Sequence, residues 1–362
     1  MFLYKRVYED LKTKILSGVY PKDSLLPSER EIGEIYQVDR TTVRKALQVL
    51  ASENWVEKKA GKGTIVTMKE SQPSVATPVE STGVKPSLAF FLPKGQDNNS
   101  RITQPFYAAL FYNTEKECQR RGYSLVYSTL DENDDFDSLI AQNAFAGIFF
   151  VSNVASSHIT KAVDRQLPSV LINSYDEKIP SILSDNFNGT YQACSHLINQ
   201  GHTSIAVLNG DASYTSNMER FRGCCSALKE HNLSLKSEWN LGGTSWEFEA
   251  GFAAVTQMLQ NASELPTALV AFNDRLAAGA IQAIHQAGLS VPGDISVTGY
   301  DNSEQSRYSV PKITSVEAHV ELMAKISARM LFQLIDDYEP CPIRILTPAE
   351  LIVRESVKAI GD

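Results

Sequence analysis

Hydrophobic residues recur at helical spacing through the first fifty positions of the chain. Tyr4, Val7, Tyr8, Leu11 and Ile15 mark one amphipathic helix, and Gly18 is placed to end it. A second, short helix starts at Pro27-Ser28-Glu29-Arg30-Glu31, where Ser28 is a natural N-cap and Glu31 completes a capping box. Ile32 and Ile35 supply its apolar face. Gln37-Val38 then turns the chain, and Asp39 caps a third helix burying Val43, Ala46, Leu47 and Leu50. Two β-prone runs, 55–59 and 64–66, flank Ala60-Gly61-Lys62-Gly63 and predict a small hairpin.

The pattern changes at Lys69. Residues 69–86 hold three prolines and several Ser and Thr with no apolar period, which predicts a linker spanning roughly 60 Å when extended. From Ser87 short apolar runs alternate with helical stretches. Strands are predicted at 88–92, 123–127, 147–151 and 169–172, with a helix over 106–121 ending at Gly122. After Asp185 the cycle restarts, with helices over 190–200, 218–231, 246–260 and 275–287 around strands at 205–208, 268–271 and 295–298. Such alternation argues for parallel sheets covered on both faces, in two similar lobes. The expected lobes are 87–185 with 316–342, and 186–315 with 343–362.

Charge separates the parts. Residues 1–68 carry 12 Lys and Arg against 9 Asp and Glu, whereas the remainder carries 22 against 33 within an overall net of −8. The basic end is therefore the candidate nucleic-acid end. No apolar run reaches the length of a membrane span, and the first sixteen residues, broken by charges, lack the apolar core of a signal peptide, so a cytoplasmic protein is expected. The five cysteines and six histidines show no metal-ligand spacing, so no metal and no cofactor is expected, and the thiols are expected reduced. No phosphate-cradling glycine loop or nucleophile elbow is present, which argues against an enzyme.

In the third helix, Arg40, Thr41, Thr42, Arg44 and Lys45 share the face opposite the apolar one. A short helix followed at a sharp turn by a helix with cations and hydroxyls at its leading end suits a major groove. Lys59 and Lys62 at the hairpin tip are within reach of phosphates, and the glycines allow close backbone approach. The order LPSERE, then V-x-R-T-T-V-R-x-A-L, then G-x-G-T resembles the winged helix-turn-helix of the GntR family of bacterial regulators over residues 1–68. That resemblance implies DNA contacts from Arg30, Arg40, Thr41, Thr42, Arg44 and Gly61. Asp39 stands where Ser or Thr is usual, and Ala60 where a polar tip residue is common.

In open parallel sheets ligands sit beyond the carboxyl ends of the strands. Asn173, Asn209-Gly210-Asp211, Asn273-Asp274 and Tyr300-Asp301-Asn302 occupy those ends, and short amides and carboxylates suit a polyhydroxylated ligand. Any single one of them also serves as an ordinary helix cap. PFYAAL, SDNFNGTYQACSHLINQGHTSIAVLNG, RFRGCCSAL, TSWEFEAGF, PTALVAFNDRLAAGA and VPGDISVTGYDNSE together resemble the periplasmic-binding-protein-like sensor of the LacI family, over 87–356. By position this implies effector contacts from Phe106 or Tyr107, Asn173, Arg220, Trp246, Asn273 and Asp301, with Asn173 where a carboxylate is common.

A GntR-type reader on a LacI-type sensor is the arrangement of arabinose repressor-type regulators of sugar catabolism. It implies a homodimer, paired partly through the helix starting at Phe106, that reads a pseudo-palindromic double-stranded DNA operator. A mono- or disaccharide between the lobes would control it. The competing expectation is a sugar-binding transport or chemosensory protein.

Overall fold

The computed structural model describes residues 3–16, 19–21, 24–52, 55–59, 63–67, 85–94 and 101–360. The chain divides into two units, Met1–Val84 and Lys85–Asp362. Gly18, the hairpin tip 60–62 and linker residues 69–84 lie outside the described residues.

The first unit holds α1 (Leu3–Leu16), α2 (Glu29–Tyr36), α3 (Arg40–Ser52), β1 (Val56–Lys59) and β2 (Gly63–Val66). The capping box at α2 is present: the Glu31 amide donates to Ser28 Oγ at 3.3 Å, and the Ser28 amide donates to Glu31 Oε2 at 2.7 Å. Gln37, in the left-handed region at φ 52°, ends the helix. Val7, Leu11 and Ile15 of α1 pack with Ile32 of α2 and with Val43, Ala46, Leu47 and Leu50 of α3. Ile35 departs from expectation and is 57% exposed. Three residues turn a helix by about 300°, so Ile35 stands roughly 60° aside from Ile32, too far for the narrow contact this short helix makes. Strands β1 and β2 pair antiparallel, with Val56 opposite Val66 and Lys59 opposite Gly63.

The second unit begins with β3 (Ser87–Leu92), α4 (Pro105–Arg120), β4 (Ser124–Thr129), α5 (Phe136–Asn143), β5 (Gly147–Val151), α6 (Ser156–Asp164), β6 (Ser169–Ile172) and β7 (Ser181–Ser184). A second set follows: α7 (Asn186–Asn199), β8 (Ile205–Asn209), α8 (Thr215–Glu230), β9 (Asn240–Gly242), α9 (Phe248–Asn261), β10 (Ala268–Ala271), α10 (Asp274–Gln286), β11 (Ser296–Tyr300), α11 (Glu304–Tyr308) and β12 (Thr314–Glu317). The chain closes with α12 (Val320–Asp336), β13 (Arg344–Thr347) and β14 (Glu350–Ile352).

Two six-stranded sheets result, ordered β13-β7-β6-β5-β3-β4 and β14-β12-β11-β10-β8-β9. Pairings in the first are parallel, and in the second β14 alone runs antiparallel, on β12. The chain crosses between lobes at Asp185, after Glu317 and after Thr347. The last two crossings fall a few residues later than 316 and 343, because each segment completes its strand before leaving the sheet.

Alternation along the strands builds the cores. Leu88, Phe90 and Leu92 enter one layer of the first lobe, while Ala89 and Phe91 enter the other. In the second lobe Ala206 and Leu208 face one layer, Ile205 and Val207 the other. Helices α9 and α10 approach at glycines: a Cβ on Gly279 would lie 2.2 Å from the Phe248 carbonyl oxygen. All five cysteines are free thiols, with Cys118, Cys194 and Cys224 buried.

Candidate functional site

Several of the predicted site residues gather on two surfaces, one on each unit. On the first, α2 and α3 set the geometry. Asp39 is occupied in capping: its carboxylate accepts from the Thr42 amide at 2.8 Å and the Thr42 hydroxyl at 2.9 Å, and also from the Thr41 hydroxyl. These bonds, that of Thr41 first, hold its carboxyl down to about 2, so the charge stays bound to the helix start. Arg40 and Arg44 lie one turn apart on α3, with side chains 71% and 56% exposed. Both donate through Nε to Oε2 of Glu29, at 3.0 and 2.9 Å, while Lys58 of β1 donates to Oε1 at 2.8 Å.

Arg30 stands apart from this cluster, 88% exposed and paired with Glu34 at 3.0 Å. Lys59 lies 3.6 Å from Glu57. Lys45 turns away and places its ammonium over the Tyr4 ring, 4.5 Å from its centroid. Gly61 and Lys62 are outside the described residues. Glu29 and Lys58 were not legible as site residues: an acidic side chain in a first helical turn reads as a helix-dipole partner, and its cations come from distant positions.

On the second unit, Phe106, Tyr107, Asn173, Arg220, Trp246, Asn273 and Asp301 line one cavity between the lobes, together with Gln104, Tyr214 and Ser216. Phe106 and Tyr107 come from the first turn of α4, Asn173 from the end of β6, and Arg220 from α8. Trp246 precedes α9, Asn273 caps α10, and Asp301 follows β11. Asn173 and Asp301 both hold positive φ, 61° and 101°. Such backbone costs of order 1–3 kcal/mol in residues with a Cβ and clusters at ligand sites.

Arg220 organises the second-lobe wall. It is 4% exposed. It donates from Nε to Asn186 Oδ1 at 2.8 Å and from Nη1 to the Phe272 carbonyl, and its Nη2 lies 3.8 Å from Asp301. Its guanidinium sits 3.5 Å from the Tyr300 ring centroid and 5.5 Å from that of Trp246. Burial pushes the Asp301 carboxyl up to about 7 against the pull of Arg220, and Asp274 and Glu317 add to the rise.

The indole of Trp246 lies against Gly210, where a Cβ would meet ring atoms at 2.3–2.4 Å. Tyr214 meets the ring edge-on at 5.9 Å. The buried Trp246 Nε1 finds no hydrogen-bond partner among the described residues. Asn273 is both cap and strut: Oδ1 accepts from the Leu276 amide at 2.8 Å, and Nδ2 donates to the Trp246 carbonyl at 3.0 Å. On the first-lobe wall Ser152 joins Tyr107 at 3.0 Å and Asn173 at 3.2 Å. Ser152 carried no sequence signal, being one hydroxyl after an apolar strand.

Other strand-end residues are structural. Asn209 donates to Asn240 Oδ1 at 2.7 Å and to the Leu241 carbonyl at 2.9 Å. Asp211 accepts from Ser213 at 2.7 and 2.9 Å. Buried Asp274 accepts from Ser303 and Ser315.

The lips of the cleft meet. Gln104 donates to Glu247 at 2.5 Å, Asn153 to the Ser213 carbonyl at 2.8 Å, and Arg344 pairs with Glu219. The cavity encloses about 40 Å³. That is room for about three waters at roughly 10–15 Å³ apiece, and Phe106 and Asp301 also border a larger space of about 760 Å³ lined by Glu317 and His319. Among the described residues no group of three or more His, Cys, Asp or Glu could hold a metal, and no helix is long and apolar enough to cross a membrane.

Comparison with known proteins supplies the remaining observations. Residues 3–66 match the model of bacterial regulatory proteins of the gntR family, and residues 194–357 that of the periplasmic binding protein-like domain. The chain is 32% identical over 266 residues to the HTH-type transcriptional repressor PurR of Actinobacillus pleuropneumoniae serotype 3 (strain JL03), covering 71% of this chain and 79% of the relative. It is 33% identical over 242 residues to the probable HTH-type transcriptional repressor ExuR of Bacillus subtilis (strain 168), covering 66% and 72%. Among solved structures, the LacI family transcriptional regulator CCPA from Weissella paramesenteroides, with bound glucose, aligns at a TM-score of 0.65 and 25% identity over 76% of this chain and 99% of that one.

Proposed function

The chain belongs to the HTH-type transcriptional repressors with a LacI-type, periplasmic-binding-protein-like sensor, its head being of the gntR family, and on that premise we propose that a small carbohydrate between the two lobes controls its hold on DNA. The subtype that fits is the arabinose repressor type. The observation carrying the reading is the convergence of seven side chains from six separate places in the chain on one cavity.

Each group has a task a polyol ligand would use. The Trp246 face packs the C–H side of a sugar ring, and its unpartnered N–H donates to a ring or hydroxyl oxygen. Asp301 accepts from hydroxyls, and Arg220 donates while holding Asp301 in place. Asn173 and Asn273 each keep a spare donor and acceptor after their internal bonds. Glucose bound to the Weissella protein is consistent with this class of ligand.

On the first unit, Arg40, Thr41, Thr42 and Arg44 of α3 form the face offered to the duplex, with Arg30 of α2 and Lys59 of β1 as outlying cations and Gly61 and Lys62 added from the sequence motif. Thr41 and Thr42 spend their hydroxyl hydrogens on Asp39 and so act on DNA as acceptors or through their methyl groups. A homodimer would set two such faces on a pseudo-palindromic operator. The α4 surface, where Tyr112 is 63% exposed, fits the pairing face.

A thermal-shift screen of the full chain against mono- and disaccharides tests the effector class. A sugar at 100 times its dissociation constant adds about 2.7 kcal/mol. A panel in which nothing raises the melting temperature, while DNA does, refutes the carbohydrate assignment.

A further inference from the structure

One carboxylate ties together three elements of the amino-terminal unit. Glu29 stands in the first turn of α2, Arg40 and Arg44 on α3, and Lys58 on β1, and all three cations meet its two oxygens within 3.0 Å. The Glu29 side chain is 15% exposed while its partners are 56–72% exposed, so the anion sits at the base of the cluster and the cations point outward. The Lys58 bond first, then those from Arg40 and Arg44, hold its carboxyl down to about 2, leaving it charged across the physiological range.

Three consequences follow from elementary electrostatics. Arg40 and Arg44 are spaced i, i+4, a like-charged pair that repels on an isolated helix; the shared anion offsets that repulsion. Both arginines bond it through Nε, so the bond uses neither of their Nη groups, which are the atoms that reach base edges or phosphates side by side. The anion also cancels one positive charge of the face, lowering its sequence-independent attraction for any duplex.

We propose that Glu29 is a specificity-determining positioning residue: it aims Arg40 and Arg44, links their helix to the wing through Lys58, and trades general phosphate affinity for sequence discrimination. The inference rests on the reading that the α3 face meets DNA. Glu29 itself touches no base in this scheme.

The test uses the full chain and two probes, a duplex enriched by the wild-type protein from a random-sequence pool, and poly(dI-dC), titrated by fluorescence anisotropy over a salt series. Glu29→Gln frees the third cation, so affinity for poly(dI-dC) rises and the slope of log K against log salt steepens by about 0.9. Affinity for the enriched duplex falls about tenfold, as when one bidentate base contact is misaligned. Glu29→Asp keeps the charge and withdraws it by one methylene, so its salt slope matches wild type while part of the discrimination is lost. The proposal is overturned if Glu29→Gln loses affinity for both probes by the same factor at unchanged slope, or if both variants keep the wild-type ratio. Arg44→Ala separates the premises: no effect on either probe removes the α3 face as the reader, whereas weakened binding by Arg44→Ala beside silent Glu29 variants removes only the role of Glu29.

Discussion

Gly210→Ala tests the wall on which the effector reading leans. The new Cβ would stand 2.3 Å from Cε3 of Trp246 and 2.4 Å from Cδ2 and Cζ3, where ordinary contact begins near 3.4 Å. The ring must therefore retreat by roughly 1 Å or more, since overlapping atoms in a packed interior cannot share that space. It cannot retreat freely, because Asn273 holds the Trp246 carbonyl at 3.0 Å and Tyr214 abuts the ring edge at 5.9 Å. Overpacking of this kind costs about 1–3 kcal/mol. Part of that cost falls on folding, lowering the melting temperature by about 2–4 °C per kcal/mol for a unit of this size. The rest falls on ligand binding, because the ring moves into a cavity of only about 40 Å³. The expected result is a loss of about tenfold or more in affinity for the sugar that emerges from the thermal screen, with DNA affinity in its absence unchanged. Calorimetry measures the first, anisotropy the second, and the emission of Trp246, one of three tryptophans, reports the displaced ring. Wild-type sugar affinity with an unaltered emission spectrum would refute the argument.

Further outcomes are expected elsewhere. Arg44→Ala weakens binding to the enriched duplex by about 1–3 kcal/mol in anisotropy and leaves calorimetric sugar affinity untouched. Asp301 has a carboxyl raised to about 7 by burial, with Arg220 opposing and Asp274 and Glu317 reinforcing. As pH falls through that value it gains a proton and loses its role as an ionised acceptor, so sugar affinity drops by up to about tenfold per pH unit below 7, and Asp301→Asn removes the dependence. The same raised value makes its contribution to stability fall as pH rises from about 4 to 7, since the folded form holds the proton that the unfolded form has released. Ser28→Ala removes the acceptor for the Glu31 amide at the start of α2 and costs about 0.5–2 kcal/mol in a urea melt of the amino-terminal unit. Trimming several residues from 69–86 changes operator affinity or its sugar response, because a proline-rich sequence with no apolar period acts as a spacer and control through spacing depends on its length.

Much of this architecture was legible because it rests on short-range signals. The strands Gly147–Val151, Ser169–Ile172 and Ala268–Ala271 lie where uninterrupted apolar runs place them, since both faces of each are buried. The capping box at Ser28 is equally local. By contrast Ser181–Ser184, Thr314–Glu317 and Arg344–Thr347 mix polar with apolar residues, so the strands flanking the lobe crossings have no pattern of their own. Strand-end polarity was an ambiguous cue: Asn173 and Asp301 reach the cavity, Asn209 and Asp274 hold loops together, and Asn273 does both. Ser152 and Glu29 escaped altogether, because each acquires its importance from partners dozens of residues away in at least one bond, and no periodicity records such meetings.

Whether occupancy of the cleft governs the grip on DNA is decided most directly by one titration. The full chain is bound to its enriched duplex with and without the sugar found in the screen, in wild type and in Asp301→Ala. A coupling of about 1–3 kcal/mol predicts a change of roughly 5–150-fold in wild-type affinity and none in Asp301→Ala. Equal wild-type affinities at saturating sugar would contradict it.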